Sequence, residues 1–292
     1  MNFAAITAKL DAYERLIRLD KPIGFMLLMW PTLWALWIAS RGEPDPLMVW
    51  IFVLGSVLTR SAGVIANDLA DMRYDGLVKR TRDRPLVTGA VSRAEAIVFG
   101  VLLLLACFVL VLQLNKLTVQ LSFIAVAIAG TYPFFKRFFF LPQAYLGIAF
   151  GFGMPMAFAA CLDQLPPIVW EMLVANIFWA IAYDTEYAMV DRDDDMNLGM
   201  RTSAITFGRF DVLAVMVCYG AMLAILAAVG MQLNFGVYYY LGLAAAAASM
   251  GHHYVLIRGR ARQGCFRAFR YNNWVGAAIF AGIVLEHFMR GR

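Results

Sequence analysis

Residues 66–86 read ANDLADMRYDGLVKRTRDRPL, a charged segment that follows directly on a long apolar run. Treated as the continuing end of that helix, each residue advances about 100°. Asn67, Asp71 and Asp75 then stand at i, i+4 and i+8, within about 80° of one another, with Asp68 on the same flank. Lys79, Arg80, Arg82 and Arg84 follow. The helix mouth thus carries acids on one face, trailed by bases.

The surroundings of this segment are those of a membrane protein. The 292 residues are 62% hydrophobic and 15% charged, with a mean hydropathy of +0.67, whereas a soluble domain is about half apolar and a quarter charged. Nine runs are long enough to cross a bilayer, near 23–39, 47–66, 96–113, 117–135, 143–161, 169–190, 211–230, 235–257 and 272–289. The expected fold is an all-α membrane protein, one domain over residues 1–292, with no cleaved signal peptide. Four scattered cysteines, Cys107, Cys161, Cys218 and Cys265, form no CxxC pair and read as packing residues. Adjacent His252 and His253 point about 100° apart, poor geometry for sharing a metal, and with His287 they are given no role.

Basic residues set the orientation, because Lys and Arg stay on the cytoplasmic side. Twenty of them fall in the segments on the N-terminal side of the membrane and four on the other, while Arg60 sits inside a span. The N-terminus is therefore expected inside and the C-terminus outside. The net charge of +5 is mostly this topology signal, and no basic, aromatic-interleaved tract suits nucleic acid.

Half of the acids lie in two places, Asp68–Asp83 and Asp184–Asp195, after the second and sixth spans. Each cluster is trailed by a basic, glycine-containing segment, RDRPLVTG at 82–89 and GMRTSAITFG at 199–208. This suggests an internal duplication of four plus four helices, with a ninth added. In the second cluster Asp184, Asp191 and Asp195 fall within about 40° of one another, and Asp193 points to the opposite side.

Carboxylates sharing a face repel and need a cation. Oxygen-only ligands suit Mg²⁺, which takes a few carboxylates plus waters and phosphate oxygens. Lys79, Arg80, Arg84 and Arg201 could contact the same anion. A diphosphate held beside lipid points to an isoprenoid substrate.

The pattern NDxxDxxxD at 67–75 together with DxxxD at 191–195 resembles the UbiA superfamily of intramembrane prenyltransferases. Within it, RLDKPIG at 18–24, WPTLWALW at 30–37, KRTRDRPL at 79–86, YDTEYAMVDRDDD at 183–195 and TSAITFG at 202–208 are similar to the members acting on 4-hydroxybenzoate. The resemblance implies nine transmembrane helices around a central cavity open laterally to lipid, with both acidic motifs on the cytoplasmic side. It implies transfer of a polyprenyl chain from polyprenyl diphosphate to the 4-hydroxybenzoate ring, ortho to the phenol oxygen, in ubiquinone synthesis. The setting would be a bacterial cytoplasmic membrane or the mitochondrial inner membrane, with no obligate protein partner. By motif position Asn67, Asp71, Asp75, Asp191 and Asp195 match the residues that hold the Mg²⁺–diphosphate unit, and Asp68 is counted with them as a metal ligand.

Aromatic faces stabilise an allylic cation, and Tyr132, Tyr183 and Tyr187 are the candidates. Asp184 is placed with Tyr132 and Tyr183 at the acceptor. Arg137 is the first choice for the acceptor carboxylate, with Arg18, Lys21 and Arg60 as alternatives. Three other readings stay open: a different aromatic acceptor, a cation-coupled transporter, and a CDP-alcohol phosphotransferase. For the last, Asp75-Gly76 matches the start of the DGxxAR signature but Leu77-Val78-Lys79 does not continue it.

Overall fold

The computed structural model describes residues 3–77, 81–135, 139–197 and 202–291, and within them every regular element is helical. In chain order these are α1 (Phe3–Leu16), α2 (Ile23–Ala39), α3 (Pro46–Asp75), α4 (Pro85–Thr88), α5 (Arg93–Val111), α6 (Lys116–Phe135), α7 (Pro142–Gly151), α8 (Gly153–Leu162), α9 (Pro167–Asn197), α10 (Ser203–Phe207), α11 (Asp211–Gln232), α12 (Val237–Ile257) and α13 (Arg262–Arg290). Each expected apolar run lies on one of the longer helices except 143–161, which matches the stretch Pro142–Leu162 and is divided at Phe152 into α7 and α8. Pro155 cannot donate a backbone hydrogen bond to residue 151, and the helix breaks there. By length and composition, five stretches of the described residues could cross a bilayer: Pro46–Met72, Arg93–Val111, Lys116–Phe134, Pro142–Leu162 and Ser203–Gln232; α2 is a shorter apolar helix.

The main core joins α2, α7, α8, α9, α11, α12 and α13, centred on Trp34 and Trp179, whose stacked rings lie 5.2 Å apart. Helices α12 and α13 cross closely. A Cβ on Gly242 would meet the Cα of Gly282 at 2.7 Å, the small-residue contact that lets helices approach in an apolar medium. By contrast α5 and α6 turn large apolar side chains outward, among them Val98, Leu102, Val109 and Ile124, the surface that lipid would cover.

Side chains fix several helix ends. In α5, Ser92 Oγ accepts from Glu95 N at 3.2 Å and Glu95 accepts from Ser92 N at 2.8 Å, a capping box written in the sequence as SRAE. Lys9 reaches the same carboxylate at 2.7 Å and ties α1 down. The N-terminus of α12 has no acid of its own and is capped from α13. There Glu286 accepts from Gly236 N at 2.6 Å and Tyr239 N at 3.4 Å, and pairs with Arg290 at 2.6 Å. Glu286→Ala should leave these buried donors unmet and cost about 1–3 kcal/mol. Glu286→Gln, which keeps the acceptor, should cost less. Thermal unfolding of the detergent-solubilised protein checks this, and an unchanged midpoint in the alanine variant would refute the capping role.

Candidate active site

The helices enclose a cavity of about 810 Å³. Along α3 its lining residues recur every three or four positions, from Ile51 and Phe52 through Gly55, Ser56, Thr59, Arg60, Gly63 and Asn67 to Asp71 and Asp75. At 1.5 Å per residue this face is about 36 Å long. One end is apolar, walled by Leu104, Phe108, Leu110 and Leu114 with Phe123 and Val126 of α6. The other end is charged.

Helices α3 and α9 run unbroken for 30 and 31 residues, and their C-terminal turns carry the two acid clusters to the charged end. Asn67, Asp71 and Asp75 from α3 face Asp184, Asp191 and Asp195 from α9 across one cavity. The periodicity argument is borne out for Asp193, whose side chain is 76% exposed and lies 3.7 Å from Arg262 on the outside. Asp68 is different. It does not line the cavity, is 2% exposed, and accepts from Arg18 at 2.7 Å and from Arg84 at 3.0 Å. Arg84 also reaches Asp75 at 2.5 Å. Asp68 therefore holds two guanidinium groups, both of which line the charged end. The sequence reading put Asp68 among the metal ligands and left Arg18 out of the diphosphate contacts.

Local backbone geometry places these groups. Arg18 has φ of +56°, a sharp turn between α1 and α2 that brings its side chain to Asp68. After α3, Thr81 Oγ1 donates to the Asp75 carbonyl at 2.7 Å and folds the chain back so that Arg84 faces the same mouth. Asp75 lies past the apolar stretch Pro46–Met72; burial pushes its carboxyl up from the usual range, and Arg84 pulls it back. On α9, Arg192 pairs at 3.2 Å with Asp211, a fully buried acid that also takes Arg260 at 2.6 Å. That clamp fixes the turn of α9 carrying Asp191 and Asp195 to α11 and to the loop before α13.

Lys79, Arg80, Arg137 and Arg201 lie outside the described residues. Tyr132, Tyr183, Asp184 and Tyr187 all line the cavity. Tyr183 is 1% exposed, its hydroxyl has no hydrogen-bond partner among the described residues, and its ring meets Trp179 edge-on at 5.5 Å. Tyr187 stacks on Phe269 of α13 at 4.5 Å. Cys107, expected to be a packing residue, also faces the cavity, 3.4 Å from Thr59.

Arg60 stands in the cavity wall between the two ends. Its guanidinium lies 5.3 Å over the Phe150 ring, and its buried Nε has no hydrogen-bond partner among the described residues. Gly24 makes room for it, since a Cβ there would lie 2.9 Å from that Nε. The signal for Arg60 in the sequence is a single charge within an apolar span, which marks a functional position by its cost.

Among the described residues no three Asp, Glu, His or Cys side chains converge tightly enough to hold a metal alone. The donor set is nonetheless oxygen-only and divided between two walls. That suits Mg²⁺, which completes its shell with waters and substrate phosphate oxygens. The cavity can take a ligand with an anionic head, a reactive middle and an apolar tail.

A model described as the UbiA prenyltransferase family matches residues 28–276. A 4-hydroxybenzoate octaprenyltransferase from Cupriavidus necator is 59% identical over 97% of this chain and 99% of its own. One from Dechloromonas aromatica is 57% identical over 100% and 99%. A solved apo structure of a UbiA homolog from Aeropyrum pernix K1 superposes with a TM-score of 0.78 at 27% identity, covering 89% of this chain and 97% of that one. A UbiA homolog from Archaeoglobus fulgidus bound to GPP and Mg²⁺ shares the fold, with a TM-score of 0.70 at 16% identity over 92% and 99%. Matched over most of its length by the family model and over nearly all of it by these relatives, the chain belongs to the UbiA prenyltransferase family.

Proposed function

We propose that the chain transfers a polyprenyl group from polyprenyl diphosphate to the ring of 4-hydroxybenzoate, ortho to the phenol oxygen, as a membrane step of ubiquinone synthesis. The observation that carries this reading is one cavity with acids and guanidinium groups at one end, an apolar wall at the other and the half-buried Arg60 between. The relatives named for this activity support the acceptor, and the Mg²⁺-bound Archaeoglobus fulgidus homolog supports the metal.

Asn67, Asp71, Asp75, Asp191 and Asp195 would hold Mg²⁺, which when bound supplies positive charge against the leaving diphosphate. Arg18 and Arg84, oriented by Asp68, contact phosphate oxygens as planar forks, and Lys79, Arg80 and Arg201, which lie outside the described residues, are proposed to add positive charge toward the same anion. The allylic C–O bond breaks and its electron pair leaves with the diphosphate. The faces of Tyr132, Tyr183 and Tyr187 stabilise the allylic cation that remains. The ring carbon ortho to the phenol attacks, a C–C bond forms, and that carbon loses its proton. Asp184, beside Tyr183 on the cavity wall, orients the phenol hydroxyl.

Arg60, an alternative in the sequence reading, is proposed as a partner for the benzoate carboxylate, because it is in the cavity wall and its buried Nε has no hydrogen-bond partner among the described residues; Arg137, the first choice from sequence, lies outside the described residues. For the whole chain we propose one domain of nine membrane spans, a duplicated set of four plus one. Its N-terminus lies inside and its C-terminus outside a bacterial cytoplasmic or mitochondrial inner membrane.

Purified protein given prenyl diphosphate, 4-hydroxybenzoate and Mg²⁺ should yield the prenylated acid by mass spectrometry. Asp71→Ala and Asp191→Ala should each lower turnover at least a hundredfold, on the order of what one transition-state contact is worth. Asp193→Ala should change it less than about threefold, since surface changes cost little. Chelation should abolish turnover, with recovery on adding Mg²⁺. Full activity after rigorous chelation would remove the metal from the mechanism.

Arg60→Ala should raise the KM for 4-hydroxybenzoate by the equivalent of about 2–5 kcal/mol, the cost of removing one member of a buried charge pair. The KM for prenyl diphosphate should stay nearly constant. Lys at this position should restore only part of the loss. An unchanged acceptor KM in Arg60→Ala, with a raised one in Arg137→Ala, would return the carboxylate to Arg137.

A further inference from the structure

Behind the cavity wall, on the back of α9, lies a polar cluster for which the proposed reaction has no use. Glu186 of α9, Tyr219 of α11, His253 of α12 and Asn272 of α13 are each 0–1% exposed, and none lines the cavity. Tyr219 Oη lies 3.0 Å from Glu186 Oε1, 3.0 Å from His253 Nδ1 and 2.9 Å from Asn272 Oδ1. His253 Nδ1 is 3.2 Å from Glu186 Oε1. Asn272 Nδ2 donates to Glu186 Oε2 at 2.8 Å, and Trp179 Nε1 donates to Asn272 Oδ1 at 2.8 Å.

A count of hydrogens limits how this cluster is wired. The Tyr219 hydroxyl has one hydrogen for two acceptors, Glu186 Oε1 and Asn272 Oδ1, and Asn272 Oδ1 also receives the Trp179 N–H. Glu186 Oε1 in turn meets His253 Nδ1, and Glu186 Oε2 accepts from Asn272. The four side chains satisfy one another, and changing one leaves a buried polar group mismatched.

The cluster is joined to the cavity wall by two routes. Glu186 and Asn272 form one rung between α9 and α13. The adjacent Tyr187 and Phe269 form the next, stacked at 4.5 Å with both rings lining the cavity. Trp179, bonded to Asn272, also braces the Tyr183 ring edge-on. A shift of α9 against α13 large enough to break the polar rung would move the aromatic wall with it. Directional hydrogen bonds can specify one such register in a medium where apolar contacts slide.

We propose that Glu186 and His253 are positioning residues. With Tyr219 and Asn272 they fix the register of α9 against α11–α13, and through it the aromatic wall that faces the allylic cation. The assignment rests on the prenyl-transfer reading, and its test separates the two.

The test compares full-length wild type, Glu186→Gln, His253→Gln, the double variant and Tyr219→Phe, with kcat and KM for prenyl diphosphate measured per folded molecule. Each single Gln change breaks the match of donors and acceptors. It should lower kcat roughly tenfold and move KM less than about threefold, a loss of the size expected for a mismatched buried polar group. The double variant should return to within about threefold of wild type, because two amides again offer a donor and an acceptor without charge. Tyr219→Phe keeps the ring and removes one hydroxyl, and should lower kcat about three- to tenfold even if the Gln singles do not fold. Unchanged kcat per folded molecule, with only yield or thermal midpoint reduced, would overturn the positioning role, as would a double variant no better than the product of the singles. A wild type that transfers no prenyl group would overturn the functional reading instead.

Discussion

Like charges brought together where water is scarce must find counter-charge, and that constraint organises this molecule. Two helices of 30 and 31 residues carry their acids past the apolar stretches to one end of a shared cavity. Asp71, Asp75, Asp191 and Asp195 crowd like charge there. Asp68 gathers Arg18 and Arg84, and Arg84 turns back to Asp75. Oxygen donors on two facing walls, with guanidinium groups beside them, suit a metal–diphosphate unit better than a neutral ligand.

The same economy of charge recurs away from the mouth. Asp211, fully buried, is held by Arg192 and Arg260, and the three tie α9, α11 and the loop before α13 together. Glu286 spends its carboxylate on the open N-terminus of α12. Glu186 meets His253, Tyr219 and Asn272 in the centre of the bundle. Arg60 differs, a cation in the cavity wall whose Nε has no hydrogen-bond partner among the described residues, and the proposed reading gives it the acceptor carboxylate.

Local periodicity makes some of this legible in the sequence. The extension of α3 to Asp75, the shared face of Asp184, Asp191 and Asp195, and the outward turn of Asp193 all follow from 100° per residue. Contacts between helices do not follow from it. Asp68 shares a flank with Asp71 on a helical wheel, yet it turns to Arg18, which lies 50 positions earlier. Arg60 depends on Gly24 and Phe150 from other helices. Glu186 is lost in the acid count of its cluster, and His253, read only against its neighbour His252, finds its partner 67 positions away. The break at Phe152 is a different failure, because Pro155 is plain in the sequence while a hydropathy window averages across it.

The central claim is that the acid faces of α3 and α9 form one metal-dependent site for a diphosphate head group. Titration calorimetry of inorganic diphosphate into the detergent-solubilised protein, with and without Mg²⁺, tests it most directly. The account predicts saturable binding in the presence of Mg²⁺ and none after its removal, since bare carboxylates repel the anion. Binding of equal strength without the metal would contradict it.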